Sequence, residues 1–357
     1  DLQALVAAAP PDVLSLRMLD DDALGRWTGD PEHSAELVAP THSLPDAIHS
    51  WRIASFSSLA RGGSGSADHG DPSSPTPEPA RDPRGLFAFA RGPRAGDCLH
   101  KIFESIDFTD DPRGPASTQA VHLAHEKFGL DRPERHPRGG ARGGEFDPAE
   151  ATLQMLERVL GTSLPGGLRL SSVGRADRLV EWQFYAPLSP VAPRDLAEVF
   201  RKSSRASWAE RYADSLETLD KQQLEGFLTG YVDVVVRSGD TWSILDWKSN
   251  HLGDRFSDYG SAAMTRSMLE HHYILQAHLY ALAVDRFLGL HQPSWCFERD
   301  FGGAYYLFLR GVDGRGAATE GQMGLYAGAG TGIFHLKPEP ALIAALGERL
   351  LEKARPS

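Results

Sequence analysis

Cysteine is almost absent from this chain: Cys98 and Cys296 are the only two among 357 residues. Two isolated thiols support neither a disulfide framework nor a Cys-rich zinc or iron–sulfur site, and they point to a reducing, cytoplasmic setting. Long apolar runs are missing too. No stretch approaches the roughly 20 residues that a bilayer crossing needs, so no membrane partner is expected. A G-x-x-x-x-G-K-[ST] loop does not occur, which removes the recognisable phosphate cradle of ATPases. Positive charge is outnumbered, 37 Lys and Arg against 48 Asp and Glu, leaving a net charge of -11. That balance argues against loose adhesion to a polyanion. It leaves room for an enzyme that grips phosphodiesters through metal ions, since such a site needs acids at its centre. The first residue is Asp1 and no charged-then-apolar leader follows it, so the sequence reads as a piece of a longer polypeptide or a processed one.

What is present divides into three parts. The length predicts roughly two domains. Residues 1–50 hold short, Pro-punctuated, acidic elements with no complete core. Residues 51–95 read as a linker: "WRIASFSSLA" alternates like a strand, but the Gly/Ser/Pro/Asp-rich stretch from Arg61 to Gly85 cannot bury enough apolar surface to offset its ordering entropy. Residues 96–357 mix strands and helices, which predicts an α/β fold. The expected elements include a helix over "GDCLHKIFESIDF" opened by Asp97, and a helix capped by Asp147 with Pro148 at its first position. "RLVEWQFYAPL" and "GAYYLFLRGV" read as strands, roughly Ala262 to Leu288 as one long helix, and "PALIAALGERLLEKA" as a closing amphipathic helix.

The most informative stretch is "YVDVVVRSGDTWSILDWKSN", Tyr231 to Asn250. Gly239-Asp240 suits a two-residue type II′ turn between two strands. That register sets Asp233 opposite Asp246, with Cβ atoms roughly 4.5–5.5 Å apart, and puts Lys248 on the same face. Apolar residues surround these groups on both faces, unlike a solvated edge strand that carries protective charges. Two acids held side by side in an apolar pair of strands repel each other and resist ionisation. A divalent cation compensates. Mg²⁺ takes one or two carboxylates and completes its shell with water and substrate phosphate. A nearby lysine can orient the attacking water and stabilise developing charge.

Other residues could support such a site. His100 and Glu104 share a helix face at i, i+4, and an oriented imidazole is a competent metal ligand. Glu181 lies mid-strand in "VEWQF". Gln276 and Tyr280, also i, i+4, could present an amide and a phenol toward a nucleotide or toward Lys248. Arg135, His136, Arg138 and Arg142 form a basic Gly-rich loop able to track a nucleic-acid backbone. His271 and His272 read as surface residues. Each of these also has an ordinary structural reading, as a solvated face, helix packing or a merely soluble loop.

"LEGFLTGYVDVVVRSGDTWSILDWKSNHLGD", "HHYILQAHLYALA", "FGGAYYLFLRGVDG", "GDCLHKIFESIDF" and "WRIASFSSL", in that set, resemble the C-terminal nuclease domains of RecB-type helicase–nucleases, within the PD-(D/E)xK superfamily. The resemblance implies a mixed sheet flanked by helices and Mg²⁺-dependent hydrolysis of DNA strands, with one or two ions. It implies that His100, Asp233, Asp246 and the backbone carbonyl of Trp247 ligate metal, that Lys248 is the catalytic lysine, and that Glu181, Gln276 and Tyr280 fill the family's remaining acidic and Q-x-x-x-Y positions. The superfamily's name-giving proline is absent, Val232 standing before Asp233. Residues 1–50 then read as the tail of a helicase region, and RecC, RecD and RecA become expected partners. Two other readings stay open: a docking module for RecC or RecA with incidental or silenced catalysis, and a phosphatase acting on small molecules.

Overall fold

The structure, a computed structural model, describes residues 52–55, 85–132, 146–219, 224–316, 325–327 and 331–351. A seven-stranded sheet forms its centre, built from β1 (Arg52–Ser55), β2 (Arg178–Val191), β3 (Leu224–Ser238), β4 (Thr241–Lys248), β5 (Phe301–Phe308), β6 (Leu325–Ala327) and β7 (Ile333–Leu336). The strands lie in the order β1-β3-β4-β5-β7-β6, and β2 pairs with β3. β2 follows β3 antiparallel along one edge. On the other edge β3 meets β1, parallel, over Gly226–Thr229 and then β4, antiparallel, over Val234–Ser238. β4 and β5 are parallel. The sheet is therefore mixed, as the alternation of strands and helices predicts.

Helices cover both faces. α1 (Pro93–Ser105), α2 (Pro115–Phe128) and α3 (Pro148–Gly161) pack on one, enclosing Val234, Val236, Leu245 and Trp247. α4 (Pro193–Ser203), α5 (Ala209–Glu217), α6 (Ser261–Glu270), α7 (Tyr273–His291) and α9 (Pro340–Leu350) enclose a second core with Val232, Val235, Ile244, Tyr306 and Phe308. The short α8 (Phe297–Asp300) leads into β5. Burial on both faces is why β4 carries apolar residues without alternation. No helix of the described residues is long and apolar enough to cross a membrane.

The β3–β4 turn follows its sequence closely. Ser238 pairs with Thr241 across a two-residue turn. Gly239 has φ 61 while Asp240 is not among the described non-glycine residues with positive φ, the combination of a type II′ turn. Asp147 caps α3, its carboxylate accepting from the N–H groups of Ala149 at 2.8 Å and Glu150 at 3.2 Å.

Four expectations are corrected. α1 opens at Pro93 behind Gly92, one turn before Asp97. The long helix is two, α6 and α7, broken at His271-His272, where His272 takes φ 55. In the first turn of α7 the Leu275 N–H donates to both the buried Tyr212 hydroxyl and the His272 carbonyl, each at 2.9 Å. Both histidines are half-buried, not surface residues. The expected 51–95 linker is ordered at both ends. Its start is β1. Leu86, Phe87, Ala88, Phe89 and Ala90 are buried at its end, held by the fully buried Arg310, which donates to the Leu86 carbonyl at 2.6 Å and the Phe89 carbonyl at 3.2 Å. Residues 1–50 and 56–84 lie outside the described residues.

Candidate active site

The backbone ladder between β3 and β4 ends at Val234 and Leu245. β4 continues through Asp246, Trp247 and Lys248 against β5 alone, with Asp246 beside Tyr306. β3 continues the other way against β2. The strands thus fork where the acids stand. At the fork a side chain takes over from the ladder: the Trp247 N–H donates to Asp233 Oδ2 at 2.7 Å. The Trp247 ring in turn stacks on Phe103, with centroids 4.1 Å apart and planes 17° off parallel, contact worth about 0.5–1.5 kcal/mol beyond its buried area. Phe103 is three residues after His100 on α1, so one residue fixes both the Asp233 carboxylate and the helix that carries the imidazole.

Glu181 reaches the same place by an unusual backbone. Val180 pairs with Val234 and Trp182 with Val232, so Glu181 and Asp233 share a cross-strand position. Glu181 has φ 49, a left-handed conformation that costs a non-glycine residue about 1–3 kcal/mol. The sidedness of both strands reverses at this position. Val180 and Val234 pack with α1–α3, whereas Trp182, Phe184 and Val232 pack into the opposite core. Across this reversal His100, Glu181 and Asp233 converge, each offering a ligand atom within 4.8 Å of the others. His100 Nδ1 lies 3.5 Å from Asp233 Oδ1.

Lys248 is 2% exposed. Its Nζ lies 2.8 Å from Asp246 Oδ2 and donates to Gln276 Oε1 at 3.3 Å. It also sits 3.7 Å from the centroid of the Tyr273 ring and 5.4 Å from that of Tyr306, contacts worth about 2 kcal/mol when desolvated. Gln276 Oε1 accepts again from Tyr306 OH at 3.1 Å, and Gln276 Nε2 donates to Tyr280 OH at 3.2 Å. The amide is thereby fixed in one orientation, and with it the ammonium. Tyr280 fits because Gly230 has no side chain: a Cβ there would meet the Phe184 ring at 2.6 Å and Tyr280 at 3.2 Å.

The electrostatics of the cluster favour positive charge. Burial works to lower the His100 pKa, but Asp233, through charge and hydrogen bond, and Asp246 raise it to about 9. Burial, followed by the Asp233 charge, raises Glu181 to about 7. The metal-free cluster holds protons where a cation would sit. One imidazole nitrogen and two carboxylates within 4.8 Å of one another form a hard, oxygen-rich donor set that fits a divalent metal ion.

Of the residues singled out in sequence, His100, Glu181 and Asp233 meet in one cluster, and Asp246, Lys248, Gln276 and Tyr280 form the chain beside it. Trp247 joins the two through its N–H. Glu104 is not one of the three converging ligands; it pairs with Lys101 on the exposed side of α1, and its charge adds to the rise of the Glu181 pKa. Arg135, His136, Arg138 and Arg142 lie outside the described residues. Tyr273 and Tyr306, the aromatic walls around Lys248, were missed. Tyr273 precedes Gln276 by three residues on one helix face, a spacing that points to it.

The profile of the PD-(D/E)XK nuclease superfamily matches residues 88–354. The chain is 31% identical over 335 residues to the RecBCD enzyme subunit RecB of Escherichia coli (strain K12), covering 90% of this chain and 25% of that protein. It is 32% identical over 404 residues to the RecB subunit of Mycobacterium tuberculosis (strain ATCC 25618 / H37Rv), covering 97% of this chain and 34% of the relative. The Haemophilus influenzae RecB subunit is 28% identical over 263 residues, 73% of this chain and 19% of its own length. The chain thus spans about a third of the longest-covered of these relatives and a quarter or less of the other two. With the match running through residues 88–354, the chain belongs to the PD-(D/E)XK nuclease superfamily and is a nuclease, a hydrolase.

Proposed function

We propose that this chain is the Mg²⁺-dependent DNA nuclease domain of a RecBCD-type helicase–nuclease, cutting strands separated by the motor during double-strand break repair and homologous recombination. The observation that carries this reading is the convergence of His100, Glu181 and Asp233 within 4.8 Å, beside a buried lysine held 2.8 Å from Asp246. His100, Asp233, Asp246 and the Trp247 carbonyl would hold the metal. Bound Mg²⁺ would supply Lewis-acid polarisation of the phosphoryl oxygen and a bound water of lowered pKa. The chain's own residues do the rest. Lys248, oriented by Asp246 and Gln276, would position the attacking water and meet the charge that develops on phosphate. Tyr280 would steady Gln276. The basic loop with Arg135, Arg138 and Arg142 would follow the DNA backbone. RecC and RecD would complete the assembly, RecA would be a further partner, and the cytoplasm would be its setting.

The direct test is to incubate the chain with linear single-stranded DNA in Mg²⁺ and in EDTA. Cutting in Mg²⁺ alone is the expected result. A folded chain that cuts nothing, and binds no Mg²⁺ by calorimetry, would sink the reading.

Metal binding should release protons. Both pKa values are raised, so the metal-free fold gains from these protons below the ordinary values of 6.5 and 4.5 and loses that gain as pH rises through about 9 for His100 and about 7 for Glu181. Below pH 7 the ligand His100 and the adjoining Glu181 carboxyl must both shed a proton as the cation enters; between 7 and 9 only His100 must. Calorimetry in buffers of different ionisation enthalpy should show release falling from about two protons at pH 6 toward one at pH 8. The Glu181→Gln variant should lose about one proton of release at pH 6. Release that is independent of pH would contradict this account.

Gly230→Ala should push Phe184 and Tyr280 apart and disturb the Gln276 relay. Overpacking of this kind costs about 1–3 kcal/mol. A fall in thermal midpoint together with slower cutting is expected. An unchanged cutting rate would separate Tyr280 from Lys248 function.

A further inference from the structure

Among the described residues, two exposed aromatic side chains stand on the strands that carry the acidic cluster: Tyr231, 52% exposed, and Tyr185, 61% exposed. They occupy the two same-face cross-strand positions that follow Glu181 and Asp233. Tyr231 pairs with Gln183, and Tyr185 with Thr229. Their neighbours Val232 and Phe184 are buried in the core under α7. Strand alternation therefore sends both tyrosine rings out on the opposite face, the side on which α1 carries His100. The tyrosines are diagonal neighbours across the ladder, roughly 7–8 Å apart. Gln183 Nε2 donates to the Tyr185 hydroxyl, which limits the freedom of that ring. Along β3, Tyr231 is two residues from Asp233, a rise of roughly 6–7 Å.

An exposed pair of aromatic rings that adjoins a cleavage site has a natural occupant. Bases present flat π-faces, and stacking on an aromatic side chain tolerates any base. Duplex bases have those faces covered by their neighbours; unpaired bases do not. The acidic cluster itself would hold the phosphate, leaving the flanking bases to be placed. Resting on the reading of the site as a DNA nuclease, we propose that Tyr231 and Tyr185 form a base-stacking platform that receives unpaired bases of a single strand beside the scissile phosphate. The platform makes the site selective for single-stranded over double-stranded DNA and indifferent to sequence.

Two arms test this on the full chain. The first measures cutting of a single-stranded oligonucleotide and of the same oligonucleotide with abasic positions, in Mg²⁺. The second measures quenching of 2-aminopurine placed in the oligonucleotide, with EDTA present so that no cutting is needed. The parent chain should cut the abasic strand more slowly and quench the probe. Tyr231→Ala with Tyr185→Ala should raise KM for the intact strand about tenfold or more, change kcat far less, erase the discrimination against abasic DNA, and abolish quenching. Tyr231→Phe with Tyr185→Phe, which keeps both rings, should behave like the parent; this controls for misfolding. A parent chain that cuts intact and abasic strands equally, or alanine variants that quench as the parent does, would overturn the platform while leaving the nuclease reading in place. Such tyrosines would then be free to meet a protein partner instead. A parent chain that quenches the probe but cuts no DNA would support the platform and count against the nuclease reading.

Discussion

Asp246→Asn is expected to lower the rate of DNA cutting by roughly 10²–10³-fold or more, with the chain still folded. Asp246 is 3% exposed and lies 2.8 Å from the Lys248 ammonium. The substitution removes a proposed metal ligand's charge while keeping its shape and an oxygen that can accept from Lys248. Asp246→Ala goes further. It leaves Lys248, itself 2% exposed, in an apolar pocket without its counter-charge. Breaking one partner of a buried pair costs about 3–5 kcal/mol. The two variants should therefore share a catalytic defect and differ in stability, with the thermal midpoint of Asp246→Ala well below that of Asp246→Asn. Single-turnover cutting, a melting curve and a metal titration on both would check this. Parent-like cutting by either variant would remove Asp246 from the active site.

Sequence patterns and structure part company at particular residues. The β3–β4 hairpin was legible because its information is local. Gly239 permits the turn, and the apolar strands fix the pairing that Val234 and Leu245 adopt. The same locality placed Gln276 and Tyr280 on one face of α7. The break between α6 and α7 was hidden, since neither Gly nor Pro stands at His271-His272 and the Tyr212 hydroxyl that accepts from the Leu275 N–H stands about 60 residues earlier. The fork was half legible. The register put Asp233 opposite Asp246, but the ladder stops one pair short, and Asp233 receives the Trp247 N–H instead. That outcome depends on β4 leaving β3 to follow β5, which no short-range pattern records. Nothing in the letter E at position 181 announces a left-handed backbone, yet at that position two strands reverse sidedness and the carboxylates gather. Tyr306 reaches Lys248 only through the parallel pairing of β4 and β5. The strained residue and the long-range contacts belong to the site, where local preference yields to the demands of holding charge.

Lys248→Met should separate metal binding from catalysis. Methionine keeps much of the lysine stem's bulk against Tyr273 and Tyr306 and removes the ammonium. Cutting should fall by about 10²–10⁴-fold, the range for losing a positioned proton-transfer or charge-stabilising group. Metal affinity should hold or rise, because the ammonium now 2.8 Å from Asp246 Oδ2 competes with a cation for the same carboxylate. In the metal-free chain, however, the variant leaves Asp246 buried beside apolar groups, with the unpaired-charge penalty of about 3–5 kcal/mol. Mg²⁺ should therefore raise the thermal midpoint of Lys248→Met more than that of the parent. This crossed pattern, weaker catalysis with larger metal-induced stabilisation, distinguishes a catalytic lysine beside a metal site from an ordinary ion pair. An ordinary pair would lose stability in the variant and regain none of it with Mg²⁺. A lysine that is itself part of metal binding would lose affinity. Arginine is not an equivalent replacement: Lys248 is 2% exposed, and the bulkier planar fork cannot present the single point charge that Gln276 and Asp246 now hold. Lys248→Arg should therefore cut nearly as poorly as Lys248→Met, although its charge is retained.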